Sequence, residues 1–333
     1  MKCECSKDIW VFAQHKEGRL LPVFYELLTK ARQLAKETPG TKVCALLVGS
    51  SLESAVKEAR ESGADIVYFI DDEKLLNYNP ETYTALAESV VSEHKPLAFL
   101  FGATAMGAEL APSLAARLKT GLAAHCVDIR ADKGGALTFV VPAFGGKVEG
   151  DILIPEQRPQ MATVRPGIFE AEGLPKAADV QVVKLACPVL PEPRISFVSF
   201  TPAKDDETQN LEDADLVVGC GRGVGTDTNF KNIEKLAKKL GAAIAFTRPA
   251  VDMGWAPDEN SMVGSSGRSI RPKVYLNFGV SGAGHHLSGI NKSGTIISVN
   301  KDAGAKMFDM SDYKVTADCA AIVNALLAAT QGR

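Results

Sequence analysis

Arg248, His285 and His286 are the side chains of this 333-residue chain best suited to chemistry. An arginine and adjacent imidazoles set among glycines and serines can hold, orient or donate to a negatively charged ligand. They lie in the stretch 241–302, beside two small-residue turns, Val263-Gly264-Ser265-Ser266-Gly267 and Gly279-Val280-Ser281-Gly282-Ala283-Gly284. Between the turns, residues 274–278 are β-branched and aromatic, which reads as a buried strand. A strand running into a Gly/Ser turn and then a helix aims free backbone N–H groups at an anion, so a phosphate site is expected there. No nucleophile–base pair or metal-ligand cluster accompanies these residues, which argues against the chain transforming an organic substrate with its own side chains.

The elements that must position this site follow from periodicity. The run Leu216-Val217-Val218-Gly219-Cys220-Gly221-Arg222-Gly223-Val224-Gly225 has the look of a dinucleotide turn, but the third glycine of that pattern falls on Val224 in one register and Thr226 in the other. A modified nucleotide turn is expected, not a nicotinamide fingerprint, followed by a basic amphipathic helix over 229–240. A final helix over 318–329 has Asp318 at its start, as an N-cap, a ligand contact or both. Upstream, strands over 9–13, 42–48, 66–70 and 97–101 alternate with helices over 22–36, 52–62 and 81–94, the second capped by Ser51. That alternation implies an α/β domain with a largely parallel sheet covered on both faces. The turn 101–107 before a helix over 108–118 fits no phosphate motif and reads as tight strand-to-helix packing. Four prolines between Cys187 and Lys204 resist helix and central strand alike, marking a connection over 188–205 between domains 1–187 and 206–333. The acidic run 206–215 reads as a surface loop.

Composition narrows the class. A chain 46% hydrophobic and 23% charged is globular, and its net charge of −3 without a basic run gives no support for nucleic-acid binding. The longest apolar runs are strand-length, so no membrane span is expected. The N-terminus reaches a strand within its first residues, leaving no room for a targeting peptide, and a cytoplasmic location is expected. Seven dispersed cysteines fit reduced thiols better than a disulfide framework, and Cys3-Glu4-Cys5 alone offers too few ligands for a closed metal site.

Several motifs in order and at matching spacing resemble the electron transfer flavoprotein alpha subunit over nearly the whole chain. In the second half these are Gly221-Arg222-Gly223, Asn229-Phe230, Thr247-Arg248 with Ala250-Val251-Asp252, Val263-Gly264 with Ser266-Gly267, residues 279–289 and Asn300-Lys301-Asp302. In the first half they are residues 101–107 with Ala111-Pro112, residues 114–118 and Gly121-Leu122, then Pro142-Ala143-Phe144-Gly145-Gly146 and residues 158–167. The resemblance implies a C-terminal Rossmann-like FAD-binding domain and an N-terminal domain that holds no flavin and packs on the partner. It implies that Arg248 faces the isoalloxazine ring and that His286 donates near its C2 carbonyl. Thr247 and Ser266 supply hydroxyls, Ser266 reaching N5. Val263, Gly264 and Ser265 form the loop, while Ser281, Gly282, Ala283, Gly284 and His285 line the diphosphate and ribityl chain. Arg222, Asn300 and Asp318 engage the distal FAD, with Cys319 adjacent. Two departures stand out in the loops: Ser265 occupies a position where the resemblance expects Gln, and Pro249 one where Ala is frequent. His285 also stands where Gln is common.

The function implied is the alpha subunit of a heterodimeric electron carrier. It would bind FAD and pair with a beta subunit holding AMP or a second flavin, serving acyl-CoA dehydrogenase-type or other flavoprotein partners. With a second flavin the complex would bifurcate electrons from NADH. The competing readings are a free-standing NAD-dependent oxidoreductase, against which the broken glycine pattern counts, and a non-enzymatic adenine-nucleotide-binding partner protein. Bland roles remain for single residues: a surface arginine at 248, a structural histidine at 286, and packing or an interface for Trp255.

Overall fold

A computed structural model describes residues 5–132, 135–143, 148–171, 179–190, 192–199, 211, 214–256 and 261–330. Cys3, Glu4, Phe144, Gly145, Gly146 and most of the acidic 206–215 run lie outside the described residues. The chain divides into two compact units, Met1–Ala143 with Glu149–Phe200 and Phe144–Val148 with Thr201–Arg333.

The first unit follows the order β1 (Ile9–Phe12), a short hairpin β2 (His15–Lys16) and β3 (Arg19–Leu20), α1 (Pro22–Glu37), β4 (Val43–Gly49), α2 (Glu53–Glu61), β5 (Ile66–Asp71), α3 (Pro80–His94), β6 (Ala98–Gly102) and α4 (Ala105–Leu118). It continues with β7 (Leu122–Cys126), β8 (Asp128–Ala131), β9 (Leu137–Ala143), β10 (Val148–Leu153), β11 (Gln160–Val164) and β12 (Gln181–Lys184). Seven strands form a parallel sheet in the order β12-β5-β4-β1-β6-β11-β7, and β10-β9-β8 form a small second sheet. All seven positions of β4 are buried, as a central parallel strand covered on both faces requires.

Local chemistry corrects one expected cap. Ser51 does not cap α2: it has φ +58, Leu52 occupies the cap position, and the Asp71 carboxylate accepts from the Ser51 and Leu52 N–H groups at 2.8 and 3.0 Å. A carboxylate on the neighbouring strand serves the helix start, a long-range device that no local motif reveals. The turn before α4 is a packing turn: Thr104 caps the helix, and a Cβ on Gly107 would lie 1.9 Å from the Gly102 carbonyl oxygen. Part of the proline-rich stretch is held within this unit. The Arg194 N–H donates 2.7 Å to Glu81, and Asn79 donates 2.7 Å to the Ile195 carbonyl.

The second unit is one parallel sheet ordered β14-β13-β15-β16-β17. Its elements are β13 (Leu216–Cys220), α5 (Asp227–Leu240), β14 (Ala243–Phe246), α6 (Arg248–Asp252), β15 (Val274–Phe278), α7 (Gly284–Leu287), β16 (Thr295–Asn300), β17 (Tyr313–Thr316) and α8 (Cys319–Ala329). α5 forms because Thr226 caps its first turn, Phe230, Ile233, Leu236 and Ala237 recur on one face, and Gly241 ends it at φ +63. Burying each of the large side chains contributes about 1.5–3 kcal/mol. Trp255 belongs to this core: it is 6% exposed, stacks on Phe230 with centroids 5.6 Å apart, and donates to Asp227 at 2.7 Å. No helix of the described residues is long and apolar enough to cross a membrane.

Candidate functional site

The chain leaves β13 towards β14 on one side and returns to β15 on the other, so β13 and β15 flank a topological switch point. In such sheets the crevice beyond the carboxyl ends of the strands receives ligands. Here the two turns press backbone against backbone: the Gly221 N–H donates to the Phe278 carbonyl at 2.9 Å and that of Gly223 to Gly279 at 3.0 Å. A Cβ on Gly221 would lie 2.4 Å from the Gly279 oxygen, and Gly279 itself has φ +63. These glycines serve a close crossing of two turns. Gly219 has another role, since a Cβ there would lie 2.1 Å from the Tyr275 hydroxyl.

A cavity of about 840 Å³ opens at this point. Its wall includes four cations, Arg222, Arg248, Lys301 and Lys306, against one carboxylate, Asp302. Arg248 is tied to Asp252 at 2.9 Å, whereas Arg222, Lys301 and Lys306 have no ion pair among the described residues. The side chains thus place excess positive charge around a concave site. The backbone adds donors, because the N–H groups of Ser281, Gly282 and Ala283 reach no carbonyl among the described residues. α7 is a single turn, and the His286 and Leu287 N–H groups fold back on the Ala283 carbonyl at 2.9 and 3.1 Å. The expected helix therefore contributes little dipole, and anion attraction rests on the cations and the turn.

His286 is committed inside the protein. Its Nδ1 lies 3.0 Å from the Val263 carbonyl and its Nε2 2.8 Å from the Tyr275 hydroxyl. A carbonyl only accepts, so Nδ1 carries the proton. Burial pushes the pKa of the ring down and keeps it neutral, so Nε2 accepts from Tyr275. Donating an N–H from this ring to a ligand would require exchanging one of those bonds. His285 is placed differently: it is exposed, its Nδ1 meets Ser265 Oγ at 2.7 Å, and its Nε2 has no partner among the described residues. The Thr247 and Ser266 hydroxyls are likewise without partners among the described residues. Asn300 acts as a staple, donating to the Val280 carbonyl at 2.9 Å and accepting from the Asp302 N–H at 3.0 Å.

Residues 9–190 match the family model of the electron transfer flavoprotein domain and residues 210–291 that of the electron transfer flavoprotein FAD-binding domain. The chain belongs to the electron transfer flavoprotein alpha-subunit family. Among relatives, the electron transfer flavoprotein subunit alpha of Thermoanaerobacterium thermosaccharolyticum is 39% identical over 96% of this chain and 97% of its own length. Protein FixB of Clostridium saccharobutylicum is 39% identical over 97% and 96%. The acryloyl-CoA reductase electron transfer subunit beta of Anaerotignum propionicum is 35% identical over 95% and 94%.

For this alpha-subunit chain, the cavity wall gathers Arg222, Thr247, Arg248, Val263, Gly264, Ser265, Ser266, Ser281, Gly282, Ala283, His285, His286 and Asn300 from the residues that the sequence singles out. Gly284, Asp318 and Cys319 are not on the wall. Gly284 opens α7. Asp318 caps α8, accepting from Ala320 and Ala321 at 2.9 and 3.2 Å, and buried Cys319 directs its thiol to the Val299 carbonyl. Sequence reasoning missed Lys306, which reaches the wall because the 305–307 segment packs on the Gly282 turn; a Cβ on Gly282 would lie 2.1 Å from the Met307 nitrogen. It also missed Tyr275, whose hydroxyl looks out of place in an apolar strand until His286 is seen above it.

Proposed function

We propose that this alpha subunit binds one FAD in the cavity of the second unit and, paired with a beta subunit, carries electrons between flavoprotein dehydrogenases and an acceptor. The observation that carries the reading is the wall of four cations against one carboxylate at the switch point, with turn N–H groups beside it that reach no carbonyl among the described residues. That donor set suits a diphosphate, and the volume lies within the roughly 300–1,000 Å³ of ligand pockets. FAD, when bound, supplies reversible electron transfer at its isoalloxazine ring. Arg222, Lys301 and Lys306 neutralise the phosphates, and the 281–283 N–H groups donate to them. Arg248, oriented by Asp252, holds positive charge at the ring, and Thr247, Ser266 and His285 supply hydrogen-bonding groups. A charge-assisted hydrogen bond to the ring is worth about 1.5–3 kcal/mol, or roughly 60–130 mV for a one-electron couple. The first unit supplies contact with the beta subunit, and the acryloyl-CoA reductase relative favours an acyl-CoA-oxidising or -reducing flavoprotein as partner. This carrier role is cytoplasmic in our reading.

The test is a stepwise reductive titration of the copurified alpha–beta complex with flavin counted. One FAD per heterodimer, released in parallel with a loss of wall cations by mutation, supports the carrier reading. Two flavins, one accepting a hydride pair from NADH, extend it to bifurcation. A flavin-free complex with nicotinamide-dependent turnover of a hydroxy acid would establish the dehydrogenase alternative instead.

A further inference from the structure

Two turns meet along the cavity rim, and beside the buried Val263–His286 bond a second pair of residues joins them there. The Ser265 N–H donates to the His285 carbonyl at 2.7 Å, and Ser265 Oγ lies 2.7 Å from His285 Nδ1. The approach is close enough that a Cβ on Gly264 would lie 2.6 Å from the His285 oxygen and one on Gly289 2.6 Å from the Gly264 nitrogen. Ser265 thus grips His285 by backbone and side chain together, and both residues are on the cavity wall. The grip has a chemical consequence. When the serine hydroxyl donates to Nδ1, the proton of a neutral ring resides on Nε2, the nitrogen with no partner among the described residues.

We propose that Ser265 is a positioning residue that fixes the orientation and tautomer of His285, so that His285 presents its Nε2–H to an acceptor oxygen of the ligand in the cavity. This rests on the reading of that ligand as FAD. Ser265 itself acts on the ligand through His285. The backbone bond holds the two turns in register, and the side-chain bond selects which ring nitrogen carries the proton. His285 is then the imidazole available to the ligand, while the neighbouring ring of His286 is spent on Val263 and Tyr275.

The experiment measures FAD affinity and midpoint potential of the alpha–beta complex for Ser265→Ala, Ser265→Thr, His285→Gln and the Ser265→Ala/His285→Gln double variant. Losing one well-placed hydrogen bond corresponds to roughly tenfold weaker binding. Ser265→Ala and His285→Gln are each expected to weaken FAD binding about tenfold and to move the potential in the same direction. The double variant should bind no more weakly than His285→Gln alone, and Ser265→Thr, which keeps the hydroxyl, should stay near the parent. Additive losses in the double variant, or a Ser265→Ala complex indistinguishable from the parent, would overturn the proposal. A parent complex that binds no FAD would defeat the cofactor reading separately. The grip is then read in the flavin-free chain from the ¹⁵N shifts of the His285 ring: a single Nε2–H tautomer that becomes mixed in Ser265→Ala supports it, and a mixed tautomer in the parent overturns it.

Discussion

Replacing Tyr275 with Phe removes one oxygen from a fully buried side chain and leaves the rest of the packing in place. The partner lost is Nε2 of His286, which is 6% exposed and cannot turn to water. The ring cannot escape by shifting its proton either, because Nδ1–H is held by the Val263 carbonyl, which would then be orphaned in turn. A buried acceptor left unpaired costs about 1–3 kcal/mol, which for a unit of this size lowers the unfolding midpoint by roughly 4–12 °C. The removed hydroxyl leaves only a small void beside Gly219, so cavity effects stay minor.

The assay must isolate the second unit, since a two-unit chain need not unfold in one step. The chain has two tryptophans, Trp10 in the first unit and Trp255 in the second. In a Trp10→Phe background, Trp255 fluorescence follows the second unit alone, and Tyr275→Phe should shift that transition and leave its slope unchanged. A midpoint within about 1 °C of the parent would show that the bond is not made in solution, and the neutral Nδ1–H assignment for His286 would fall with it.

Reversing one wall charge by Lys306→Glu should weaken FAD binding about tenfold at low salt, with the deficit shrinking as ionic strength rises; a salt-independent loss would point to misfolding instead. Stability of the second unit should be flat above pH ~6.5 and decline below it, because unfolded His286 takes up a proton near that pH while the buried ring, its pKa pushed down, stays neutral. In His286→Gln that part of the acid slope should disappear from Trp255-monitored melts. Gly282→Ala places a Cβ against the Met307 nitrogen at a position with φ +82, so loss of FAD binding and a destabilisation above ~1 kcal/mol are expected; unchanged FAD affinity would mean that the turn is not part of the site.

Sequence patterns made the two α/β sheets legible because parallel strands buried on both faces are near-continuous apolar runs, as residues 43–49 and 274–278 are. The site turns were legible for a related reason: glycine and serine clusters at strand ends are rare without a steric demand, and Gly221, Gly264, Gly279 and Gly282 each face backbone at contact distance. What stayed hidden depends on partners distant along the chain. The cap at α2 comes from Asp71, the role of Gly219 from Tyr275, and the commitment of His286 from Val263 and Tyr275 together. Asp318 was open between cap and ligand contact, and its cap bonds to Ala320 and Ala321 are local enough that sequence alone anticipated them.

The position of Lys306 shows why a wall can recruit charge that no motif announces. Its segment is brought to the cavity by backbone packing, with the Met307 N–H donating to the Ser281 carbonyl at 3.3 Å while Gly282 leaves room for it. That contact constrains main-chain atoms and the glycine; the side chain at 306 remains exposed and is free to vary without disturbing the fold. Affinity for an anionic ligand can therefore be tuned at 306 at little structural cost, whereas a change at Gly282 alters the turn itself. The same separation applies to the paired histidines. His286 is built into the scaffold through two buried bonds of its ring, and the ring of His285, one residue earlier, is exposed and meets the Ser265 hydroxyl, so adjacent positions of the same residue type carry different consequences for stability and for binding.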